Sequence, residues 1–151
     1  MSARCFVDTN VLMYAHDSST GAKHERALAL VEELWQHRAG VVSTQVLQEL
    51  AVNLRKKAKR VLDPNATRDV VADYLTWHVV VNNGESILEA LDLESRYRVS
   101  FWDALVLQAA HASGGDSVLR RPLRRAAVRL GPGGKPFSRP LAGSVNEPAS
   151  G

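Results

Sequence analysis

The stretch that decides the fold is Arg4-Cys-Phe-Val-Asp8, a short apolar run that ends on an acid. Such a run predicts a buried strand that delivers Asp8 to its carboxyl end. Asn10 can cap a helix, and the adjoining Val11-Leu-Met-Tyr-Ala15 predicts a short one. A strand that runs directly into a helix indicates the alternating order of an α/β protein.

Strands and helices continue to alternate outward from this stretch. Gly40-Val-Val-Ser43 and Trp77-His-Val-Val-Val81 are predicted strands. The helical spacing of apolar residues predicts helices over His24–His37, from Thr44 as N-cap, after Asp63-Pro-Asn65, over Ile87–Leu93, and over Trp102–Ala112. The resulting order, β-α-α-β-α-α-β-α-α, implies parallel strands that helices cover on both faces.

Length and composition exclude several classes of protein. The 151 residues suffice for one domain, and 45% hydrophobic with 23% charged residues is ordinary globular usage. No apolar run reaches the roughly 18–20 residues of a membrane span, and the N-terminus lacks the pattern of a signal peptide. The single cysteine, Cys5, excludes a disulfide framework and a cysteine-based zinc site. We therefore expect a soluble, cytoplasmic protein without a membrane partner.

The net charge of +3 is unevenly distributed along the chain. Residues 1–113 hold 12 Lys/Arg and 14 Asp/Glu, a net charge of −2, whereas residues 114–151 hold 7 and 2, a net charge of +5. Residues 114–151 also contain five of the six prolines and seven of the ten glycines. We therefore predict a folded core over residues 1–113 and an atypical basic tail over residues 114–151, irregular or disordered.

Three acids lie where an open parallel sheet places its chemistry. Asp8 ends the first strand, Glu49 lies on the helix after the second strand, and Asp103 lies in the first turn of the last helix. Because ligands bind beyond the carboxyl ends of such strands, we expect these acids to meet there. Asp103 could instead only stabilise its helix, and Glu49 could be a solvated surface residue. Asp8 comes directly after a buried strand and therefore needs a partner.

Carboxylates that share one cleft repel one another, and a hard divalent cation removes that repulsion. Mg²⁺ and Mn²⁺ prefer oxygen ligands and usually keep several waters. A water on such a cation can act as a nucleophile while the cation stabilises charge on a phosphate. The three acids therefore point to metal-dependent hydrolysis of a phosphodiester.

Three stretches resemble the motifs of PIN-domain nucleases. They are Phe6-Val-Asp-Thr-Asn-Val-Leu-Met-Tyr-Ala15, Val42-Ser-Thr-Gln-Val-Leu-Gln-Glu-Leu50 and Tyr97-Arg-Val-Ser-Phe-Trp-Asp-Ala-Leu-Val106, in the order and at the spacing of the family. The resemblance covers residues 4–113 and is closest to the VapC-type toxins of bacterial toxin–antitoxin pairs.

The resemblance implies a three-layer α/β/α sandwich with a central, mainly parallel sheet. It also implies an Mg²⁺- or Mn²⁺-dependent endoribonuclease that is a homodimer and is inhibited by a cognate antitoxin. Asp8 and Asp103 would be the principal metal ligands, and Glu49 the supporting catalytic acid.

Three polar residues accompany these acids. Thr9 and Asn10 would position the first motif, although simple helix capping explains them equally well. Ser100 would cap the helix of Asp103 and could also touch the site.

The tail departs from the family pattern after the third motif. In Ser117-Val-Leu-Arg-Arg-Pro-Leu123, Arg121 and Pro122 stand where a fourth acid is expected, and Asp116 is a weak candidate for it. Codons for Leu119–Leu123 can be chosen so that reading one nucleotide later gives Ser-Ala-Asp-Leu. The same offset at Gly133–Phe137 can give Val-Glu-Asn-Pro-Phe, a second family feature. We therefore hypothesise that the chain is frameshifted from about residues 114–119 onward, which sequencing of the gene tests.

Two other functions are compatible with the sequence. A catalytically impaired PIN-like protein would bind antitoxin or RNA without cleavage, and the missing fourth acid favours it. A phosphatase or dehalogenase would use Asp8 as a covalent nucleophile. Asn10 and the lack of a well-placed lysine argue against that second alternative.

Overall fold

Four short parallel strands form the centre of the fold. The computed structural model of the chain describes residues 4–114 and, beyond them, the backbone of three strands at 117–119, 128–130 and 136–140. The central strands are β1 (Cys5–Val7), β2 (Gly40–Ser43), β3 (His78–Val80) and β4 (Ser117–Leu119). Their order in the sheet is β3-β2-β1-β4, and each neighbouring pair is parallel.

Six helices connect and cover these strands. They are α1 (Thr9–His16), α2 (Ala22–His37), α3 (Thr44–Lys56), α4 (Pro64–Tyr74), α5 (Gly84–Tyr97) and α6 (Phe101–Ala112), with a 3-10 turn at Ser18–Thr20. Two helices come after each of the first three strands, which confirms the predicted order of elements. The α/β class with a central parallel sheet is confirmed as well.

The first strand is covered on both of its faces. Successive side chains of a strand point to opposite faces, yet Phe6 and Val7 are both 0% exposed. Val41 and Val42 of β2 are buried to the same degree. A sheet buried on both faces needs continuous apolar strands, and the sequence provides them here.

Aromatic residues close the core beside β2 and β3. Tyr74 stacks on Trp35 at 5.7 Å between ring centroids and meets Trp77 edge-on at 5.1 Å. The His16 Nε2 and the Tyr74 hydroxyl oxygen lie 2.8 Å apart. Trp77 is buried, whereas more than a third of the Trp35 side chain is exposed.

The N-caps of two helices lie one or two residues earlier than the sequence indicates. The N-cap of α1 is Asp8 rather than Asn10, because the Asp8 carboxylate accepts a hydrogen bond from the Thr9 N–H at 2.8 Å. The N-cap of α3 is Ser43 rather than Thr44, because the Ser43 hydroxyl accepts from the Val46 N–H at 3.2 Å. Local spacing identifies a group of capping residues, and tertiary structure selects one of them.

The tail contains more regular structure than its composition predicts. Ser117–Leu119 forms β4, which pairs in parallel with β1. Two further strands, β5 (Val128–Leu130) and β6 (Pro136–Pro140), pair antiparallel in a separate two-stranded sheet. Parallel pairing needs mainly the backbone of β4, and Ser-Val-Leu tolerates an extended conformation. Asp116 lies outside the described residues.

Within the part of the chain that the structure describes, no helix is long and apolar enough to cross a membrane.

Candidate active site

Asp8 lies directly after β1, at the carboxyl end of the sheet. Its side chain is half-buried and is fixed by the hydrogen bond from the Thr9 N–H. Its backbone carbonyl also accepts from the Val11 N–H at 3.1 Å, which begins the ladder of α1. The first acid is therefore both the cap of a helix and a group at the edge where parallel sheets bind ligands.

Thr9 connects the first acid to the second. Its hydroxyl, in a side chain only 3% exposed, donates to Glu49 Oε2 at 2.7 Å. This bond joins α1 to α3 across forty positions of sequence, and Glu49 itself is half-buried. A hydrogen bond to a carboxylate is short and strong, so it holds the two acidic motifs in a defined relation.

Gln45 completes the surroundings of Glu49. Its amide Nε2 donates to Glu49 Oε1 at 3.0 Å, one helical turn away on α3. The start of α3 is held in turn by Asn82, whose Oδ1 accepts from the Thr44 hydroxyl and from the Gln45 N–H, each at 3.0 Å. Neither Gln45 nor Asn82 was predicted from the sequence. The i, i+4 spacing of Gln45 and Glu49 could have indicated the contact of Gln45 with Glu49. No local pattern in the sequence indicates the role of Asn82.

Asp103 lies in the first turn of α6, as predicted. The Ser100 hydroxyl accepts from the Asp103 N–H at 3.1 Å, so Ser100 is the N-cap of this helix. The Asp103 side chain is half-buried, and Ser100 is exposed. Asn10 is exposed within the first turn of α1, where it does not cap the helix.

Trp102 precedes Asp103 and is 62% exposed. Its ring contacts Phe101 edge-on, with centroids 5.6 Å apart. Although α6 is otherwise strongly apolar and buried, this side chain lies outside the core. A position on the first turn of a helix can point past the neighbouring helix, which periodicity alone does not reveal.

The donor chemistry of these residues fits a hard divalent cation, because carboxylate and hydroxyl oxygens are the ligands that Mg²⁺ prefers. Their arrangement is more open than a closed metal cage. Among residues 4–114, no three His, Cys, Asp or Glu side chains stand close enough together to hold a metal ion. Thr9 donates hydrogen bonds to both Asp8 and Glu49 and so links these two acids. Asp103 lies on a separate helix, α6.

The chain matches the PIN domain over residues 5–121 and therefore belongs to the PIN-domain family. Among solved structures it is similar to the crystal structure of VapC20 from Mycobacterium tuberculosis, described as a sarcin-ricin loop cleaving toxin. That similarity has a TM-score of 0.58 at 21% identity and covers 76% of this chain and 86% of VapC20. This similarity shows a shared fold. No curated protein matches this chain. The match to the PIN domain confirms the predicted family.

Proposed function

We propose that this protein is a metal-dependent endoribonuclease and the toxin of a toxin–antitoxin pair. The observation that carries the proposal is the partly buried hydrogen bond from Thr9 to Glu49, which joins two acidic motifs of the PIN pattern beside the carboxyl end of β1. Membership of the PIN-domain family supports it, as does the shared fold with a toxin that cleaves the sarcin-ricin loop.

In this proposal Asp8 and Asp103 hold Mg²⁺ or Mn²⁺. The bound cation would supply an activated water and stabilise negative charge on the scissile phosphate. Both oxygens of Glu49 already accept hydrogen bonds, so Glu49 acts as a supporting acid that orients the first motif through Thr9. Ser100 keeps the helix of Asp103 in register by capping it.

Further assignments complete the proposal. Asn10 and Ser100 are exposed beside the acids and would contact the bound RNA. Asp116 is a weak candidate for a fourth acid. Residues 1–113 would contain the nuclease core and residues 114–151 the atypical tail. The protein would act in the cytoplasm as a homodimer and be inhibited by a cognate antitoxin.

Two observations favour a second candidate function, a PIN-domain protein that binds RNA or antitoxin without cutting. The described residues contain no cluster of three metal-ligating side chains, and Arg121 with Pro122 occupies the expected position of the fourth acid. Fewer carboxylates around a cation lower its affinity, so this protein would need more metal than a site with four acids.

RNA cleavage by the purified protein in Mn²⁺ or Mg²⁺ separates the two functions. Asp8→Asn is the sharpest variant, because asparagine caps a helix about as well as aspartate and leaves the fold intact. We expect cleavage that EDTA abolishes and that Asp8→Asn lowers by about a hundredfold or more, with an unchanged urea midpoint. Absence of cleavage at every metal concentration would instead support the binding-only function.

A further inference from the structure

A dense group of cations lies beyond Glu49 on the same helix. Five of the six residues from Arg55 to Arg60 are basic, and we call this segment the basic turn. All five basic side chains are exposed. The segment begins in the last turn of α3 and continues into the connection to α4.

The basic turn is held in one conformation. Leu54 and Ala58 point inward and are 1% and 8% exposed. The N–H groups of Lys57 and Ala58 both donate to the Asn53 carbonyl, at 2.8 and 3.1 Å, and the Leu62 N–H donates to the Leu54 carbonyl at 3.0 Å. These bonds fix the backbone, so the cations are displayed outward on an ordered surface.

These cations are available to an anion. In the part of the chain that the structure describes, none of the five forms a salt bridge with a carboxylate. Arg55 donates its Nε to the Ala51 carbonyl at 3.0 Å, which steadies the guanidinium and leaves its terminal nitrogens available. The side chains of the five basic residues and of Arg68 on α4 are all exposed to solvent, and the Asp17 carboxylate faces the Lys59 backbone N–H beside them.

A groove beside the basic turn extends the surface. It has a volume of about 330 Å³ and lies between α3 and α4, where Arg55 and Arg68 both contribute to its lining. Val71, Ala72 and Leu75 provide an apolar lining. Arginines beside an apolar surface suit a nucleotide, because the phosphate can bind guanidinium groups while the base covers apolar side chains.

The surface is close to the candidate acids along α3. Lys56 lies seven residues after Glu49, which is about 10 Å at the rise of an α-helix. Successive phosphates of a duplex strand are separated by about 3.4 Å along the axis, so a few nucleotides of one RNA span this distance.

We propose that the basic turn, together with Arg68, is a phosphate-binding surface that positions RNA outside the carboxylate site. The choice of RNA rests on the proposed function, but the binding itself needs neither metal nor cleavage. The high density of lysine and arginine favours a phosphate backbone, which presents regularly repeated negative charge.

The test is RNA binding in EDTA, measured by fluorescence anisotropy with a labelled RNA hairpin over a series of salt concentrations. The test variant is Lys56→Gln/Lys57→Gln. The matched control is Arg26→Gln/Arg96→Gln, which removes the same charge from exposed positions on α2 and α5. Both variants keep the basic tail, so its contribution cancels.

We expect the test variant to bind more weakly and to lower the slope of log affinity against log salt by about 1 for each lysine removed. The control should retain the slope of the unmodified protein. Equal slopes in both variants would overturn the proposal. The proposal would also be overturned if the test variant lost binding to a labelled polyglutamate peptide but bound RNA as well as the unmodified protein does. The basic turn would then be a binding surface for an acidic protein. EDTA prevents metal-dependent cleavage during the binding assay. The binding result can therefore be interpreted even if the protein proves not to be a nuclease.

Discussion

The Thr9 hydroxyl makes the contact on which the candidate site depends most. It is almost completely buried and bridges the strand-end motif of Asp8 to Glu49 on α3. Sequence spacing shows that Thr9 is close to Asp8, but it does not show that Thr9 reaches Glu49. Only the packing of α1 on α3 brings those side chains together.

Thr9→Val should separate the two acidic motifs while it keeps the size of the side chain. We expect a loss of about 1 kcal/mol in the free energy of unfolding, since Glu49 loses a partly buried hydrogen bond. The rate of RNA cleavage should fall about tenfold, which corresponds to about 1.4 kcal/mol in the barrier. Thr9→Ser keeps the hydroxyl and is the control. If Thr9→Ser is impaired as strongly as Thr9→Val, the hydroxyl is not the important group.

We expect His16 to make the stability of the protein depend on pH. Desolvation lowers the pKa of His16 below its ordinary value of 6.5, although the nearby Asp73 carboxylate opposes this and the side chain remains solvent-exposed. As the pH falls through that ordinary value, the unfolded chain binds a proton before the folded chain does. Acidification therefore favours unfolding.

We expect the melting temperature to fall between about pH 7 and pH 5, with a smaller fall in His16→Gln. Differential scanning fluorimetry across this range measures both. His111→Gln, at an exposed position, should keep the pH dependence of the unmodified protein. A fall that is the same in all three proteins would remove His16 as its source.

Individual elements were predicted to different degrees from the sequence. A continuous apolar run indicates the first strand, and an apolar run that follows Ser100 indicates α6. Both signals are local in the sequence. The exposed position of Trp102 is not indicated, because periodicity identifies an apolar face without showing whether another element covers it. The caps of α1 and α3 were shifted because several adjacent polar residues compete for each position.

Gly40, the first residue of β2, occupies a position that has no room for a side chain. A Cβ at this position would overlap the ring of Trp77, which is buried against the backbone of β2. Gly84, the first residue of α5, has open space around it. Gly84 therefore serves as the control position for a substitution at Gly40.

Gly40→Ala should lower the free energy of unfolding by about 1–3 kcal/mol, because the methyl group overpacks a rigid aromatic contact. Gly84→Ala should change it by less than about 1 kcal/mol, and in the stabilising direction. Urea denaturation measures both. Equal stability of the two variants would contradict the close approach of Trp77 to Gly40.

At the scale of the whole molecule, the sheet extends beyond the three PIN motifs. Strand β4 lies in the basic tail, yet it pairs with β1 through Cys5–Ser117, Phe6–Val118 and Val7–Leu119. Composition could not predict this pairing, because the proline and glycine content of the tail hides one strand-compatible triplet. The hypothesis of a shifted reading frame stays a prediction, and it concerns the origin of the tail rather than this pairing.

A chain that ends at Ser113 should therefore be less stable than one that ends at Ala127. The shorter chain leaves β1 as an unpaired edge, and we expect a loss of about 2–3 kcal/mol with increased aggregation. The longer chain keeps β4 and lacks residues 128–151, which include β5 and β6. Thermal denaturation and light scattering compare the two. Equal stability would show that β4 contributes nothing to the folded core.

Metal binding shared by Asp8 and Asp103 is the basis of the proposed nuclease, and isothermal titration calorimetry with Mn²⁺ tests it without reference to any RNA. The proteins to compare are the unmodified chain, Asp8→Asn, Asp103→Asn and the double variant. If both acids hold one cation, each single variant should weaken binding by at least about tenfold, and the double variant should be little weaker than either. Fully additive losses, or unchanged affinity in Asp103→Asn, would contradict a shared metal site.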